Sequence, residues 1–309
     1  MNEFYKKDII TIKDFSKSQL ETIFSSTDKI MQLAPIDRRE ICKGSTLAYL
    51  FYEPSTRTRL SFESAMASIG GSSLGISNIS NSSTQKGESL ADTVRMMSIY
   101  SDVLVLRHPL DGSSRFAAEI SDKPVINAGS GTEEHPTQAI QDLFTIKKEK
   151  KKIDGLKIGI VGDLKYGRTV YSFLHALGNY DVDVHLISPE SLRIRNDSTY
   201  EIKKKLDFTE STNIDEYIDE LDVLYVTRIQ KERFPDEEEY LKVKGSYVVG
   251  LDLLKKMKSD SIVLHPLPRI DEISTDVDKT PNAKYFEQAE YGKHVRSSLL
   301  GLILNENGF

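Results

Sequence analysis

Several stretches of this 309-residue sequence combine residue types that can handle anions and carbonyl groups. The densest is FYEPSTRTRLSFE, Phe51–Glu63, which sets the hydroxyls of Ser55, Thr56 and Thr58 among the guanidinium groups of Arg57 and Arg59. A β-type run, Thr46–Tyr52, leads into it. Glu53-Pro54 breaks that run, because proline offers no ladder donor and restricts the residue before it. Ser55 or Thr56 then stands where an N-cap belongs. Leu60, Phe62, Ala65, Met66 and Ile69 follow at helical spacings until Gly70-Gly71 ends the helix. The first turn of a helix leaves N–H groups unpaired and carries partial positive charge, so it seats anions. With the hydroxyls and arginines added, the stretch reads as a phosphate cradle, although a plain capped helix with solvated arginines shares the spacing.

Four more chemical residues each follow a predicted strand. Arg107 follows Val103–Leu106, Asp163 follows Leu156–Val161, Arg228 follows Val223–Thr227, and His265 follows Ile262–Leu264. Between these strands lie helical patterns. Residues 16–34 read as an amphipathic helix with a Ser16–Gln19 capping box, and Leu20, Ile23, Phe24, Ile30 and Met31 form its apolar stripe. A polar loop, Ser77–Gly87, precedes a helix over Glu88–Tyr100. A strand at Pro124–Asn127 and a Gly-rich loop lead to His135-Pro136-Thr137-Gln138, where Pro136 suits the first turn of a helix running to Lys150. The loop GDLKYGR opens a helix to about Gly178, and a further strand is predicted at Val182–Ile187. Strands alternating with helices predict parallel sheets covered on both faces. The length suits two domains, so the expected fold class is α/β, with two doubly wound domains. Ligands in such folds bind beyond the carboxyl ends of the strands, which predicts an active site in the cleft between the domains.

Composition narrows the function. A net charge of −6, 39% hydrophobic and 28% charged residues describe a soluble protein without a long apolar run, for which a cytoplasmic location and no membrane partner are expected. The basic run Lys147–Lys152 lacks interleaved aromatics and reads as the solvated end of a helix, so no nucleic-acid partner is expected. One cysteine and six scattered histidines leave no metal-ligand pattern, and no cofactor is expected. Gly159, Gly162 and Gly167 have the spacing GxxGxxxxG, which is not a dinucleotide fingerprint. No 20–50-residue repeat is evident.

Taken in order, FYEPSTRTRLSFE, KGESLADT, RHP, HPTQ, VGDLKYGRT, TRIQKERF and HPLPRIDEI resemble the transcarbamylases over essentially the whole chain. Within that family the set is similar to the catalytic chains of the aspartate carbamoyltransferases. The resemblance implies transfer of the carbamoyl group of carbamoyl phosphate to the amine of L-aspartate, giving N-carbamoyl-L-aspartate and phosphate in pyrimidine biosynthesis. It implies a carbamoyl-phosphate-binding domain over residues 1–150, with a C-terminal helix of about 290–309 packing back on it, and an aspartate-binding domain over 151–289. It gives Ser55, Thr56, Arg57 and Thr58 to the phosphate, and Arg107, His135 and Thr58 to the carbamoyl oxygen. Gln138 and the carbonyls of Leu267 and Pro268 hold the carbamoyl NH₂. Arg168 takes the α-carboxylate of aspartate, and Arg228 and Gln230 take its side-chain carboxylate. Ser82 and Lys86 resemble residues that reach into a neighbouring subunit's site, which implies a homotrimer with shared active sites. The family also leaves room for separate zinc-bearing regulatory chains. Tyr291 and Ser130 depart from the asparagine and aspartate common in relatives, at positions that carry no substrate. An ornithine carbamoyltransferase normally has HCLP where this chain has His265–Pro268, and Arg228 would repel a cationic side chain. A non-catalytic carbamoyl-phosphate-binding module would have lost one of these residues, and none is missing.

Overall fold

In the computed structural model, which describes residues 2–77, 86–132, 134–229, 234 and 237–309, the buried-type runs of the sequence become strands of two parallel sheets. The chain divides into one unit of Met1–Ile140 with Tyr291–Phe309, and another of Gln141–Glu290.

The first unit carries β1 (Thr46–Phe51), β2 (Ser72–Ile76), β3 (Val103–His108) and β4 (Val125–Ser130), in the order β2-β1-β3-β4. Its helices are α1 (Lys17–Gln32), α2 (Pro35–Arg38), α3 (Thr56–Ser68), α4 (Leu90–Tyr100) and α5 (Ser113–Ile120), followed by the start of α6 (Pro136–Lys150). The Ser16–Gln19 capping box forms as expected, with both reciprocal hydrogen bonds present. The central strands are continuous apolar runs because helices cover both their faces: Leu47, Ala48, Leu50, Val103, Leu104, Val105 and Leu106 are at most 1% exposed. β2 is an edge strand that the sequence does not announce. It pairs in register with β1, Thr46 opposite Ser72, but Ser72, Ser73, Leu74 and Gly75 are exposed and carry no buried-run signal. Gly70 ends α3 at φ +90, where a Cβ would lie 1.7 Å from the Arg39 carbonyl oxygen. Leu60, expected in the buried stripe of α3, is instead exposed, while Phe62, Ala65 and Met66 are buried.

The second unit carries β5 (Leu156–Val161), β6 (Val182–Ile187), β7 (Phe208–Ser211), β8 (Val223–Val226) and β9 (Ile262–Leu264), ordered β7-β6-β5-β8-β9. α7 (Arg168–Leu177), α8 (Asn196–Lys203), α9 (Glu237–Val243) and α10 (Leu251–Leu254) connect them, and Leu221, Leu224, Val249, Val263 and Tyr285 lie in its core. The basic run that ends α6 is not wholly solvated, because the Lys150 side chain is 8% exposed and pairs with Asp260 at 2.7 Å. α11 (Tyr285–Leu304) returns the chain to the first unit. There Ser297 Oγ lies 3.1 Å from Ser68 Oγ, and Arg296 donates to Ser61 Oγ at 3.1 Å.

Candidate active site

Strand order locates the chemistry in each unit. In a doubly wound sheet the crevice opens where consecutive connections leave in opposite directions. In the first sheet that point lies between β1 and β3; in the second it lies between β5 and β8.

At the first switch point, β1 ends at Phe51 and Ser55 is the N-cap of α3. Ser55 makes no side-chain hydrogen bond to its own helix, so its hydroxyl adds a donor to the backbone N–H groups of the first turn. Arg57 is exposed and Thr58 half-buried. The two arginines of the motif differ in their surroundings: Arg59 pairs with Glu63 at 3.4 Å and lies over the Tyr49 ring, whereas Arg57 is exposed at the first turn of α3. Arg107, opposite Phe51 in the ladder, has its carbonyl held by the Tyr52 N–H at 2.9 Å. Its side chain is gripped by Glu53, Nε to Oε2 3.4 Å, and by the Ala128 carbonyl, also at 3.4 Å. The loop after β4 is tied to the same end of the sheet, since Gly131 N–H donates to the His108 carbonyl at 3.0 Å. It delivers His135 to the start of α6, where the His135 carbonyl accepts from the Gln138 and Ala139 N–H groups. His135 and Gln138 are buried, 4% and 6% exposed. Burial pushes the neighbouring His108 imidazole below its ordinary pKa, against the pull of Glu53. Lys86 is exposed, and Ser82 lies outside the described residues.

At the second switch point, Gly162 leaves β5 at φ +117, with its would-be Cβ 2.3 Å from the Thr227 carbonyl oxygen. Only glycine permits that approach. Asp163 is fully buried and accepts the Lys165 and Tyr166 N–H groups at 3.1 and 2.9 Å, which folds GDLKYGR into a turn and sets Arg168 as the first residue of α7. Thr227 ties β8 to β5 by donating N–H and hydroxyl to the Val161 carbonyl, and Arg228 follows, half-buried. A cavity of about 20 Å³ lies here, lined by Gly162, Thr227, Ile229, Tyr240, Lys244 and Glu272 among others. His265 leaves the adjacent strand β9. Burial pushes its imidazole below the ordinary value against the pull of Glu272, and the charges of Arg269 and Arg228 add to the shift. Leu267 adopts φ +56 before a cis bond to Pro268. The next residue, Arg269, is anchored by Asp278 and by the Tyr285 hydroxyl. Gln230 lies outside the described residues.

The structure thus brings Ser55, Thr56, Arg57, Thr58, Arg107, His135 and Gln138 to one sheet's carboxyl end, and Arg168, Arg228, Leu267 and Pro268 to the other's. The set is rich in donors and cations suited to phosphate, carboxylate and a polarised carbonyl. Sequence reasoning missed Glu272, Asp142 and Gln288, buried polar groups behind the second set. No local signal marked them, because Asp142 and Gln288 stand beside other polar residues of their helices and Glu272 lies in a polar segment outside any helix or strand. Among the described residues, no group of three or more His, Cys, Asp or Glu side chains could hold a metal ion. No helix among them is long and apolar enough to cross a membrane.

Residues 7–148 match the family described as aspartate/ornithine carbamoyltransferase, carbamoyl-P binding domain, and residues 154–303 match its Asp/Orn binding domain. The aspartate carbamoyltransferase catalytic subunit of Nitrosopumilus maritimus is 87% identical over all 309 residues, with full coverage of both chains. That of Cenarchaeum symbiosum is 72% identical over the same length. The catalytic subunit of M. jannaschii aspartate transcarbamoylase is 48% identical and superposes with a TM-score of 0.89, covering 97% of this chain and 99% of its own. Aspartate transcarbamoylase from Trypanosoma cruzi, in complex with carbamoyl phosphate and aspartate, is 34% identical with a TM-score of 0.91, covering 99% of this chain and 98% of its own. With both domain models matched in order and full-length relatives this similar, the chain belongs to the aspartate/ornithine carbamoyltransferase family, among its aspartate carbamoyltransferase catalytic subunits.

Proposed function

We propose that the chain transfers the carbamoyl group of carbamoyl phosphate to the amine of L-aspartate, releasing phosphate. The observation that carries this reading is the pair of switch points, one bearing a helix-end phosphate cradle and the other bearing arginines suited to carboxylates. The Trypanosoma cruzi relative binds carbamoyl phosphate and aspartate, which supports the same two ligands here.

In this reading Ser55, Thr56, Arg57 and Thr58 hold the phosphate. Arg107, His135 and the Thr58 hydroxyl donate to the carbamoyl oxygen as the amine attacks and negative charge grows on it. Donors aimed at such an oxyanion are each worth about 10²–10³ in rate. Gln138 and the carbonyls of Leu267 and Pro268 orient the carbamoyl NH₂. Arg168 binds the α-carboxylate; Arg228, with Gln230, binds the side-chain carboxylate, for which the planar guanidinium fork is suited. The departing phosphate dianion accepts the amine proton. Ornithine is disfavoured because its cation would face Arg228.

Ser82 and Lys86 are assigned to a neighbouring copy's site in a homotrimer. The uncovered strand β2 and the exposed Leu60 and Leu74 of the first unit support an assembly through that unit. Relatives are named catalytic subunits, which fits a second, regulatory kind of chain, and a cytoplasmic setting is part of the same reading.

Replacing Arg228 with alanine tests the assignment. kcat/KM for aspartate falls by at least about 10², while calorimetric binding of inorganic phosphate is unchanged. Unaltered aspartate kinetics, or an equal loss of phosphate binding, removes Arg228 from the aspartate pocket.

A further inference from the structure

Glu272 touches no substrate group in the proposed function, yet it is 7% exposed and closes a ring of hydrogen bonds around the turn that follows β9. His265 Nδ1 accepts the Leu267 N–H at 2.8 Å, and His265 Nε2 lies 2.7 Å from Glu272 Oε1. Glu272 Oε2 accepts the N–H groups of Ile270 and Asp271, both at 3.1 Å. A backbone donor at one ring nitrogen and a carboxylate at the other admit a single neutral tautomer, with the proton on Nε2 and the lone pair on Nδ1. The ring cannot follow a shifting turn, because the His265 N–H is held by Gln288 at 2.9 Å. Gln288 is held in turn by Asp142 at 2.7 Å, and Asp142 by the Tyr225 hydroxyl at 2.9 Å.

We propose that Glu272 is a positioning residue for carbamoyl transfer: it fixes the tautomer of His265, and His265 in that tautomer holds the Leu267 N–H so that the Leu267-Pro268 turn presents its carbonyls. The inference rests on the function proposed above, which gives those carbonyls to the carbamoyl NH₂. Leu267 at φ +56 occupies a region that an L side chain keeps only when its surroundings impose it. The imposing groups are on both sides of the turn: the His265 ring grips the residue before Pro268, and the Glu272 carboxylate grips the two after Arg269. Glu272 remains ionised in this arrangement, because the hydrogen bonds from His265 and the backbone outweigh the penalty of burial and hold its carboxyl below the ordinary range.

Two replacements of His265 separate this role from that of a structural ion pair. In His265→Asn the amide oxygen occupies the place of Nδ1 and still accepts from Leu267, but the link to Glu272 is cut. In His265→Gln the amide reaches the place of Nε2 and keeps Glu272, but Leu267 loses its acceptor. The expected result is that the Asn variant keeps kcat/KM for carbamoyl phosphate within about fivefold of wild type. The Gln variant loses about 30-fold or more, as for a misplaced binding group. Both should bind inorganic phosphate normally. The reverse order, or equal losses in an active background, overturns the inference alone. A wild-type chain that forms no carbamoylated product overturns the function and the inference together. Folding of the variants is not essential to the test, because ¹⁵N spectra of histidine-labelled wild-type chain read the tautomer directly. His265 is expected as the Nε2–H form with an accepting Nδ1, and an Nδ1–H or doubly protonated ring at neutral pH overturns the proposal. In Glu272→Gln the carboxylate that selects the tautomer is gone, so the Nε2–H signature and carbamoyl-phosphate turnover should be lost together. Loss of turnover with the tautomer intact counts against the link.

Discussion

Glu53→Gln isolates how Arg107 is aimed. The two side chains lie 3.4 Å apart and are 15% and 21% exposed for arginine and glutamate. Unit charges at that distance attract by about 5 kcal/mol at an effective dielectric of 20, a gross figure that desolvation and side-chain ordering largely offset. The net contribution to folding is therefore expected to be about 1 kcal/mol or less. Its effect on the reaction should be larger. Arg107 is proposed as one donor to the carbamoyl oxyanion, and such a donor is worth about 3–4 kcal/mol when well placed. Glutamine keeps the shape and one acceptor oxygen but removes the charge, leaving the guanidinium held less firmly beside the Ala128 carbonyl. Losing roughly half of one donor's effect, about 1.5–2 kcal/mol, lowers kcat by about 10- to 30-fold. Steady-state kinetics at saturating aspartate, paired with urea melts, read both quantities. A kcat within twofold of wild type, with the melt unmoved, refutes the idea that Glu53 orients Arg107. A large loss of stability in step with the loss of rate reassigns the pair to folding.

Two further outcomes are expected. If the proposed homotrimer shares its sites, Lys86→Ala and Arg57→Ala chains should each be nearly inactive, and reassociated hybrids of the two should regain activity because some sites then draw intact residues from different chains; verified hybrids without recovery rule out the proposed shared site. Acidification should destabilise the fold from the histidine range downwards. Burial holds His294 down to about 4, with Lys293 and Arg38 adding to the effect, and burial also depresses His265 and His108. The unfolded imidazoles, near 6.5, take up protons first, so stability is full above about pH 6.5 and declines as pH falls towards 4. Urea midpoints measured from pH 7.5 to 4.5 should fall steadily, and a midpoint that rises on acidification contradicts these assignments.

What the sequence made legible had local causes. Glu53-Pro54, the hydroxyls behind it and Gly70 mark the strand–turn–helix from β1 to α3 within some twenty positions, and the structure follows them. The apolar runs Val103–Leu106 and Leu156–Val161 are central strands because only strands covered on both faces need such runs. The edge strands β2 and β7 escaped notice for the converse reason, as their side chains are largely exposed and polar. Contacts distant in sequence were also invisible. Tyr225 meets Asp142 across 83 positions and Gln288 meets Asp142 across 146, so nothing near any of them announces the buried chain that braces His265. Lys150 looked solvated for the same reason, its partner Asp260 lying 110 positions away.

The most direct test is to supply purified chain, in buffer containing EDTA, with carbamoyl phosphate and either L-aspartate or L-ornithine. Product identity is then read by mass spectrometry and released phosphate by colorimetry. The expected result is N-carbamoyl-L-aspartate formed one-for-one with phosphate at a rate unaffected by the chelator, and no citrulline from ornithine. Carbamoylation of ornithine, phosphate release without a carbamoylated amine, or activity that returns only on adding a divalent metal would contradict the account.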